Sequence, residues 1–364
     1  MSIIKSIKKN IYRTASQYMS HARLIEGKIN NSNQSIRCLF IENSNYMSYV
    51  SEKIFEGKSR ILNHSRVYLP SVNKIIRDLM DEFDLCVAIV PKRYDSSLND
   101  LLDFRSDEYV SQVIDIAGTM DDVKKRFHQK KRQLSNKIDV KSGFSYKVSK
   151  DLDDFSMFYN EMFLPLITRK YGDNSDIEPY EDMKILFQKG FLVLVSHDNK
   201  YVSGALCIVE NNSLVFRRSG VLHGDDEYIK LGAQNALYLF NIYHAKDLDL
   251  KSVDTMKSMA VLNDGVFRTK REWGATVYPD GESKSRMYLF IPRYSDRAIS
   301  FFESNPMIVH ANGGLCGLVG HRGDRNHVED IEADLKKKYF SPGLNGLLVI
   351  TPDSRNPIHI PFVH

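Results

Sequence analysis

Residues 251–278, KSVDTMKSMAVLNDGVFRTKREWGATVY, decide how the rest of this chain is read. Val253 and Asp254 end a short strand-like run that follows LDLKS. Val261, Leu262, Val266 and Phe267 recur at helix spacing, so a helix is expected next. Gly274 is placed to stop that helix ahead of the strand-like ATVY. The chain's single tryptophan, Trp273, falls here among Asp254, Ser258, Asn263, Asp264, Arg268 and Lys270. A strand ending in Asp, a helix and a Lys-x-x-Trp-Gly exit make a place where a carboxylate projects at the carboxyl end of a sheet. The same pattern also describes a strand–helix–strand unit whose charges are merely solvated, since a fold by itself names no function.

Composition narrows the classes. With 364 residues the chain is long enough for two or three domains with sizeable cores. Its 42% apolar and 26% charged residues are those of a globular protein and not of a disordered one. A net charge of +4 is too small to mark a nucleic-acid binder by bulk charge, and no DNA partner is expected. Cys38, Cys86, Cys207 and Cys316 are widely spaced, the first three in apolar runs. They read as free thiols of a reducing compartment, without metal-ligand spacing. No apolar run approaches the ~18 residues of a membrane helix, and MSIIKSIKKNIYR regains charge too early for a signal peptide. A cytoplasmic protein that uses no metal is expected.

Residues 1–35 read as an N-terminal extension in which Ile3, Ile4, Ile7 and Ile11 form a short helical stripe, for docking in the first instance and for a membrane surface in the second. IRCLFI (36–41), RVYLP (66–70), LCVAIV (85–90) and QVIDI (112–116) read as strands. Ile75, Ile76, Leu79 and Met80 recur at helical intervals between the second and third, so an α/β sheet is expected. No nucleophile, carboxylate pair or phosphate-binding glycine loop stands out in this lobe. Residues 120–138 read as one helix, opened by a capping box of Thr119 and Asp122, with Val123, Phe127, Leu134 and Ile138 on a narrow apolar face. Lys124, Lys125, Arg126, Lys130, Lys131, Arg132 and Lys137 cover the rest. They form either a solvated surface or a face for a phosphate-bearing ligand.

The second lobe opens with the strand FSYKV (144–148). Residues 151–169 are amphipathic through Leu152, Phe155, Tyr159, Met162, Phe163 and Leu166, and Pro165 is expected to kink or end that helix. FLVLVSHDNKYVSGALCIVENNSLVFRRSG (191–220) reads as three antiparallel strands turned at HDNK and ENNS. Arg217 and Arg218 alternate in facing on the last strand, so one should point into a cleft beside it. A helix over 227–245 follows, and Gly232 inside it costs ~1 kcal/mol against alanine. Either a ligand phosphate at a helix N-terminus or a close helix crossing would explain such a glycine.

Three of these stretches resemble those of the GNAT-type and Fem-type acyltransferases. They are the Asp-ending strand leading to Lys270-Arg271-Glu272-Trp273-Gly274, the apolar strand before the basic helix 120–138, and the meander 191–220 with its following helix. FLPLITRKYG (163–172) is similar to a stretch of the same families ahead of an acceptor loop. The resemblance covers residues 110–292, about half the chain. It implies an α/β (α+β) chain of two tandem GNAT-like lobes, 36–143 and 144–293, with 294–364 as a small C-terminal α/β appendage. It also implies that the last meander strand splays from its neighbour and that an acyl donor lies in the gap.

The implied activity is transfer of an acyl group, acetyl in the first instance, from acetyl-CoA or another acyl-CoA to an amine. The acceptor class is an amino sugar or peptide precursor of the cell envelope. One alternative donor is aminoacyl-tRNA, as in Fem-type transferases, which the basic helix favours and which would make tRNA a partner. A second alternative is a binding protein that keeps the fold without the chemistry. The glycine loop favours that reading, because the Gln/Arg-x-x-Gly-x-Gly/Ala turn of GNAT enzymes is matched in 229–234 only at Gly232. Asp225, Asp226 and Glu227 also put negative charge where a pyrophosphate is expected. Under the acyl-transfer reading Asp254 is the base or acceptor anchor, Asp264 the second candidate, and Lys270 stabilises developing negative charge. Gly232, Ala233, Lys230, Arg217 and Arg218 then hold the donor, while Arg169, Tyr171, Ser258 and Trp273 meet the acceptor. Tyr238 is a further candidate, as proton donor to a leaving thiolate, with His223 and His244 behind it. Residues 294–364 read as strand, glycine-rich turn, helix and strand, packing on the second lobe or joining two copies in a dimer.

Overall fold

The computed structural model describes residues 18–42, 50–51, 53–94, 98, 101, 103–141, 143–172, 177–323, 325–352 and 354–362. The stripe expected at Ile3, Ile4, Ile7 and Ile11 lies outside the described residues. The strands begin with β1 (Met19–Lys28), β2 (Ser35–Glu42), β3 (Arg60–Tyr68), β4 (Leu85–Pro91), β5 (Phe104–Ser106) and β6 (Tyr109–Asp115). They continue with β7 (Phe144–Ser149), β8 (Phe191–His197), β9 (Lys200–Glu210), β10 (Ser213–Val221), β11 (Ser252–Met259) and β12 (Ala275–Pro279). The last are β13 (Ser285–Phe290), β14 (Met307–Ala311), β15 (Gly314–Gly320), β16 (Leu344–Thr351) and β17 (Ser354–Pro361).

These strands and the helices between them form the expected mixed α/β chain, in two compact units. One comprises Met1–Val110, Met259–Phe267 and Pro279–His364, the other Ser111–Ser258 and Arg268–Tyr278. The divisions expected at 143/144 and 293/294 are therefore replaced. Residues 294–364 are no appendage, because their strands extend the sheet built by β1–β5. The link is β13, whose last four residues are buried and which pairs antiparallel with both β4 and β5. A strand apolar on both faces has to lie inside a sheet.

In the first unit the sheet runs β17-β16-β15-β14-β5-β13-β4-β2-β1-β3. Strand alternation gives it two cores. Cys38, Phe40, Val87 and Ile89 face one side, covered by Ile299 and Phe302 of the helix Asp296–Ser304. Leu39, Ile41, Ala88 and Val90 face the other, covered by Val72 and Ile76 of the helix Val72–Asp78.

The second unit carries a sheet of order β12-β6-β11-β10-β9-β8-β7. Phe191, Val193 and Val195 of β8 face the helix Ala233–Asp247, and Leu192 and Leu194 face the helices of residues 152–171. The meander forms as expected. Asp198 and Asn199 turn β8 into β9, and Asn211 and Asn212 turn β9 into β10, all four at positive φ between 49° and 63°. Paired left-handed residues match the twist of a two-residue hairpin, and Asn and Asp tolerate that conformation best among residues with a side chain.

The amphipathic segment is continuous but changes pitch, from α-helix at Leu152–Met157 to π-helix at Phe158–Phe163 and back to α-helix at Leu164–Tyr171. Pro165 neither ends nor breaks it. Proline lacks an N–H and collides with the carbonyl one turn back, and a π turn just before it is a way to absorb the misfit. Gly204 and Gly220, opposite one another on β9 and β10, let this segment settle on the sheet. A Cβ on Gly220 would stand 2.5 Å from the backbone carbon of Met162.

Candidate active site

The decisive geometry lies between β10 and β11. They run parallel and pair at Ser213–Ser252, Leu214–Val253 and Val215–Asp254. Beyond Asp254 both strands go on, β10 to Val221 and β11 to Met259, without further pairing to one another among the described residues. Two features drive them apart. On β10 the ladder to β9 slips between Phe216 and Arg218, so Arg217 is a bulge residue. On β11, Met256 adopts φ +66°, a left-handed backbone that a non-glycine residue takes only when its surroundings impose it. The expected splay is thus present, and Asp254 sits at its apex.

Those surroundings are Asp254 and Lys270. The half-buried Asp254 accepts the Met256 N–H on Oδ1 at 2.7 Å. Lys270, 4% exposed, donates Nζ to the carbonyls of Met256 at 3.1 Å and of Lys257 at 3.0 Å. One residue is therefore held from both sides, its N–H by the carboxylate and its C=O by the ammonium. Lys270 acts on the shape of β11, a role different from the direct charge stabilisation expected of it. Met256 was not anticipated, and methionine carries no sequence signal for positive φ.

Arg217 and Arg218 do not alternate as expected, because the bulge inserts a residue between their pairings. Arg217 extends Nη2 to Glu210 at 3.3 Å and Nη1 to the Met256 sulfur at 3.9 Å. Arg218 pairs with Glu178 at 2.7 Å and bonds the Arg217 carbonyl. Both arginines flank the opening while engaged in ion pairs.

The helix expected over 227–245 is two helices, Asp226–Leu231 and Ala233–Asp247, broken at Gly232. Gly232 has φ +104°, and an added Cβ would meet nothing within 4 Å. The glycine answers a backbone demand and not a close crossing. The acids that seemed misplaced belong to the first helix: Asp225 caps it through the Glu227 N–H, and Arg169 holds Asp226 and the Gly224 carbonyl. The second helix starts with no acidic residue in its first turn and no side-chain cap. Lys131 lies beside that turn, bonded to Asn235 at 2.6 Å, and burial draws its pKa down against the pull of Glu272. Ala233 is buried and its carbonyl accepts the Ser203 hydroxyl, while Lys230 is exposed. Gly232→Val is expected to cost about 1–3 kcal/mol through its backbone alone, and Gly232→Asn much less. Thermal melts measure that.

Tyr238, on the same helix, stacks on Trp273 at 5.9 Å and leans on Phe216 at 5.2 Å, where β10 begins to part from β11. Burial pushes its hydroxyl pKa up, so it stays protonated and is a weaker acid than a free tyrosine, suited to donating a hydrogen bond. His244 packs edge-on to Phe191, half-buried, and burial lowers its pKa against the pull of Asp247.

Other candidates are placed elsewhere. Trp273 is fully buried between Phe127 and Tyr238 and cannot meet an acceptor. Ser258 is buried and bonds Gln112 at 2.7 Å, within the sheet. Arg169 is committed to Gly224 and Asp226, and the Tyr171 side chain lies outside the described residues. Asp264 belongs to the first unit, where it binds Lys53 at 2.9 Å and caps the helix Gly265–Glu272 through the Val266 and Phe267 N–H groups. That helix therefore starts after Val261 and Leu262, not at them. The basic stretch 120–138 is likewise two helices, Met120–Arg126 and Gln129–Lys141, parted where Phe127 turns extended to pack on Trp273. The Thr119–Asp122 capping box is formed. Lys124 is paired with Asp139 and Lys125 with Asp122, so the basic face is partly neutralised.

No family model matches the sequence, and no curated protein matches it. Solved structures similar to it include FemX, at 10% identity over 75% of this chain and 84% of that one, with a TM-score of 0.40. L-PGS from Bacillus licheniformis aligns at 10% identity over 76% and 86%, with a TM-score of 0.35. A GCN5-related N-acetyltransferase from Anabaena variabilis aligns at 10% identity over 90% and 74%, with a TM-score of 0.29.

Proposed function

We propose that the second unit transfers an acyl group from a thioester donor to an amine held at Asp254. The observation that carries this reading is the early end of the β10–β11 ladder. Past Val215 and Asp254 two parallel strands present edges to a wedge, and an extended amide-bearing arm can enter it as an added strand. Acyl-CoA has such an arm, ending in the reacting thioester. Its phosphates would lie at the uncapped start of the helix Ala233–Asp247, where N–H groups and the helix dipole favour anions.

In the reaction the amine attacks the thioester carbonyl, the tetrahedral intermediate collapses, and the thiolate leaves. Asp254 holds the acceptor ammonium or takes its proton. The proton that the attacking nitrogen still carries passes to the leaving thiolate to give thiol, and the Tyr238 hydroxyl donates a hydrogen bond to that sulfur. Backbone N–H groups along the wedge stabilise the oxyanion. The acceptor class that suits an anionic anchor is an amino sugar or amine-bearing peptide, with the cell envelope carried over from the resemblance and the cytoplasm from the cysteine usage and the short apolar runs.

The test is thiol release from acetyl-CoA by the full chain with pooled amine acceptors, run beside transfer from aminoacyl-tRNA to the same pool. Thiol release that requires an acceptor supports acyl-CoA as donor, and transfer in the second arm alone replaces it with aminoacyl-tRNA. Binding of both donors without turnover, with every acceptor, would leave the binding-protein reading in place of the enzyme.

A further inference from the structure

We propose that the exposed face of β1 and β3, in the first unit, binds a single-stranded nucleic acid, with phosphates on His21, Arg23, His64 and Arg66 and a base on Tyr68. The strand β3 is an edge of its sheet, and Val67 is its one buried residue. Register places His21 opposite Arg66 and Arg23 opposite His64, so all four side chains share one face. The two imidazoles bond diagonally across this square, Nδ1 of His21 to Nε2 of His64 at 3.0 Å. Among the described residues one carboxylate serves the group, the buried Glu42, which binds Arg23 at 3.3 Å. Arg66 has no acidic partner among the described residues.

Each arginine stands opposite a histidine and not opposite an acid, so the ladder gains no cross-strand attraction and becomes repulsive once the imidazole is protonated. Arg60, further along β3, shows the usual remedy, since it and Arg37 share Glu26. In the square only Arg23 has that remedy, so Arg66 and the two histidines are open to an external anion. Next along the same face stands Tyr68, 51% exposed, with the Tyr18 ring 6.4 Å away and the Arg93 guanidinium over Tyr18. Basic groups that follow a backbone beside rings open to stacking are the elements of single-strand recognition. A duplex has no free base to stack. A membrane surface also takes arginines, and Ile61, 58% exposed on β3, could insert there, but the open Tyr68 ring beside the basic square favours a base. Charges on an edge strand also deter edge-to-edge pairing, but that duty does not require an exposed ring.

The test is fluorescence anisotropy of labelled single-stranded RNA and DNA oligonucleotides with the full chain, over a range of salt. Arg66→Glu should weaken binding at least about tenfold and flatten the salt dependence, and Tyr68→Ala should weaken it about tenfold. Lys337→Glu, with the same change of net charge on an exposed helix, should leave it unchanged. Binding should also tighten as pH falls. Partial burial, with Arg23, His64 and Arg66, holds the His21 pKa below its ordinary value, and its protonation adds charge to a square whose one acid is Glu42. Oligonucleotide binding that ignores both Arg66→Glu and Tyr68→Ala would overturn the proposal. So would equal affinity for a mononucleotide, or binding to anionic vesicles without binding to oligonucleotides.

Discussion

Lys270→Met is expected to lower the unfolding free energy by about 2–5 kcal/mol and to take most of the proposed acyl-transfer activity with it. The ammonium is almost wholly buried and holds two backbone carbonyls, those of Met256 and Lys257. Methionine fills a similar volume but donates nothing, so both carbonyls lose a partner at about 1–3 kcal/mol each, less whatever water recovers. The left-handed backbone of Met256 is itself unfavourable by about 1–2 kcal/mol, so the turn should relax once one of its two holds is gone. Relaxation would draw the Met256 N–H off Asp254 and change how that carboxylate is presented. Adding Met256→Gly tests the link, because glycine adopts the same backbone without strain. The double variant should regain part of the lost stability. Denaturant unfolding of the single and double variants reads this directly, and a Lys270→Met protein within about 0.5 kcal/mol of wild type would remove the latch.

Where local chemistry determined the outcome, the sequence could be read. The Asp-Asn and Asn-Asn pairs between apolar runs specified both hairpins of the meander, and Thr119 with Asp122 specified a helix start. The first strand could not be read, because its inward positions include Ser20, Ala22 and Gly27, which carry no hydrophobic alternation. The strand β13 was also missed, and with it the joining of residues 294–364 to the first unit's sheet, since partners far apart in sequence leave no local mark. Both helix breaks were hidden by good helical periodicity. At Phe127 the gain from packing on Trp273 outweighs continuation of the helix, and at Gly232 the left-handed backbone ends one helix and opens the next. Within the site, Asp254 was readable as a carboxylate at the end of a paired run. The role of Lys270 was not, because it acts through Met256, whose conformation depends on the folded surroundings and not on its side chain.

Asp254→Asn is expected to reduce acyl transfer by about 10²-fold or more while leaving the thermal midpoint close to wild type. Asparagine keeps an oxygen where Oδ1 accepts the Met256 N–H at 2.7 Å, so the left-handed turn and the parting of β10 from β11 should persist. What disappears is the charge, and both roles proposed for this carboxylate, binding an ammonium and taking its proton, depend on charge. Asp254→Ala removes the acceptor oxygen as well. It should lose as much activity and in addition about 1 kcal/mol of stability, because the Met256 N–H is then left unpaired inside the sheet. A carboxylate that only shapes β11 gives a different pattern: the alanine variant loses stability and activity together, and the asparagine variant loses neither. Thermal melts and acyl-transfer rates on the two proteins therefore separate a chemical role from a structural one. With Asp264 occupied by Lys53 and by a helix start in the first unit, near-normal turnover in Asp254→Asn would leave the second unit without its proposed base and shift the first step to an acceptor that arrives already deprotonated.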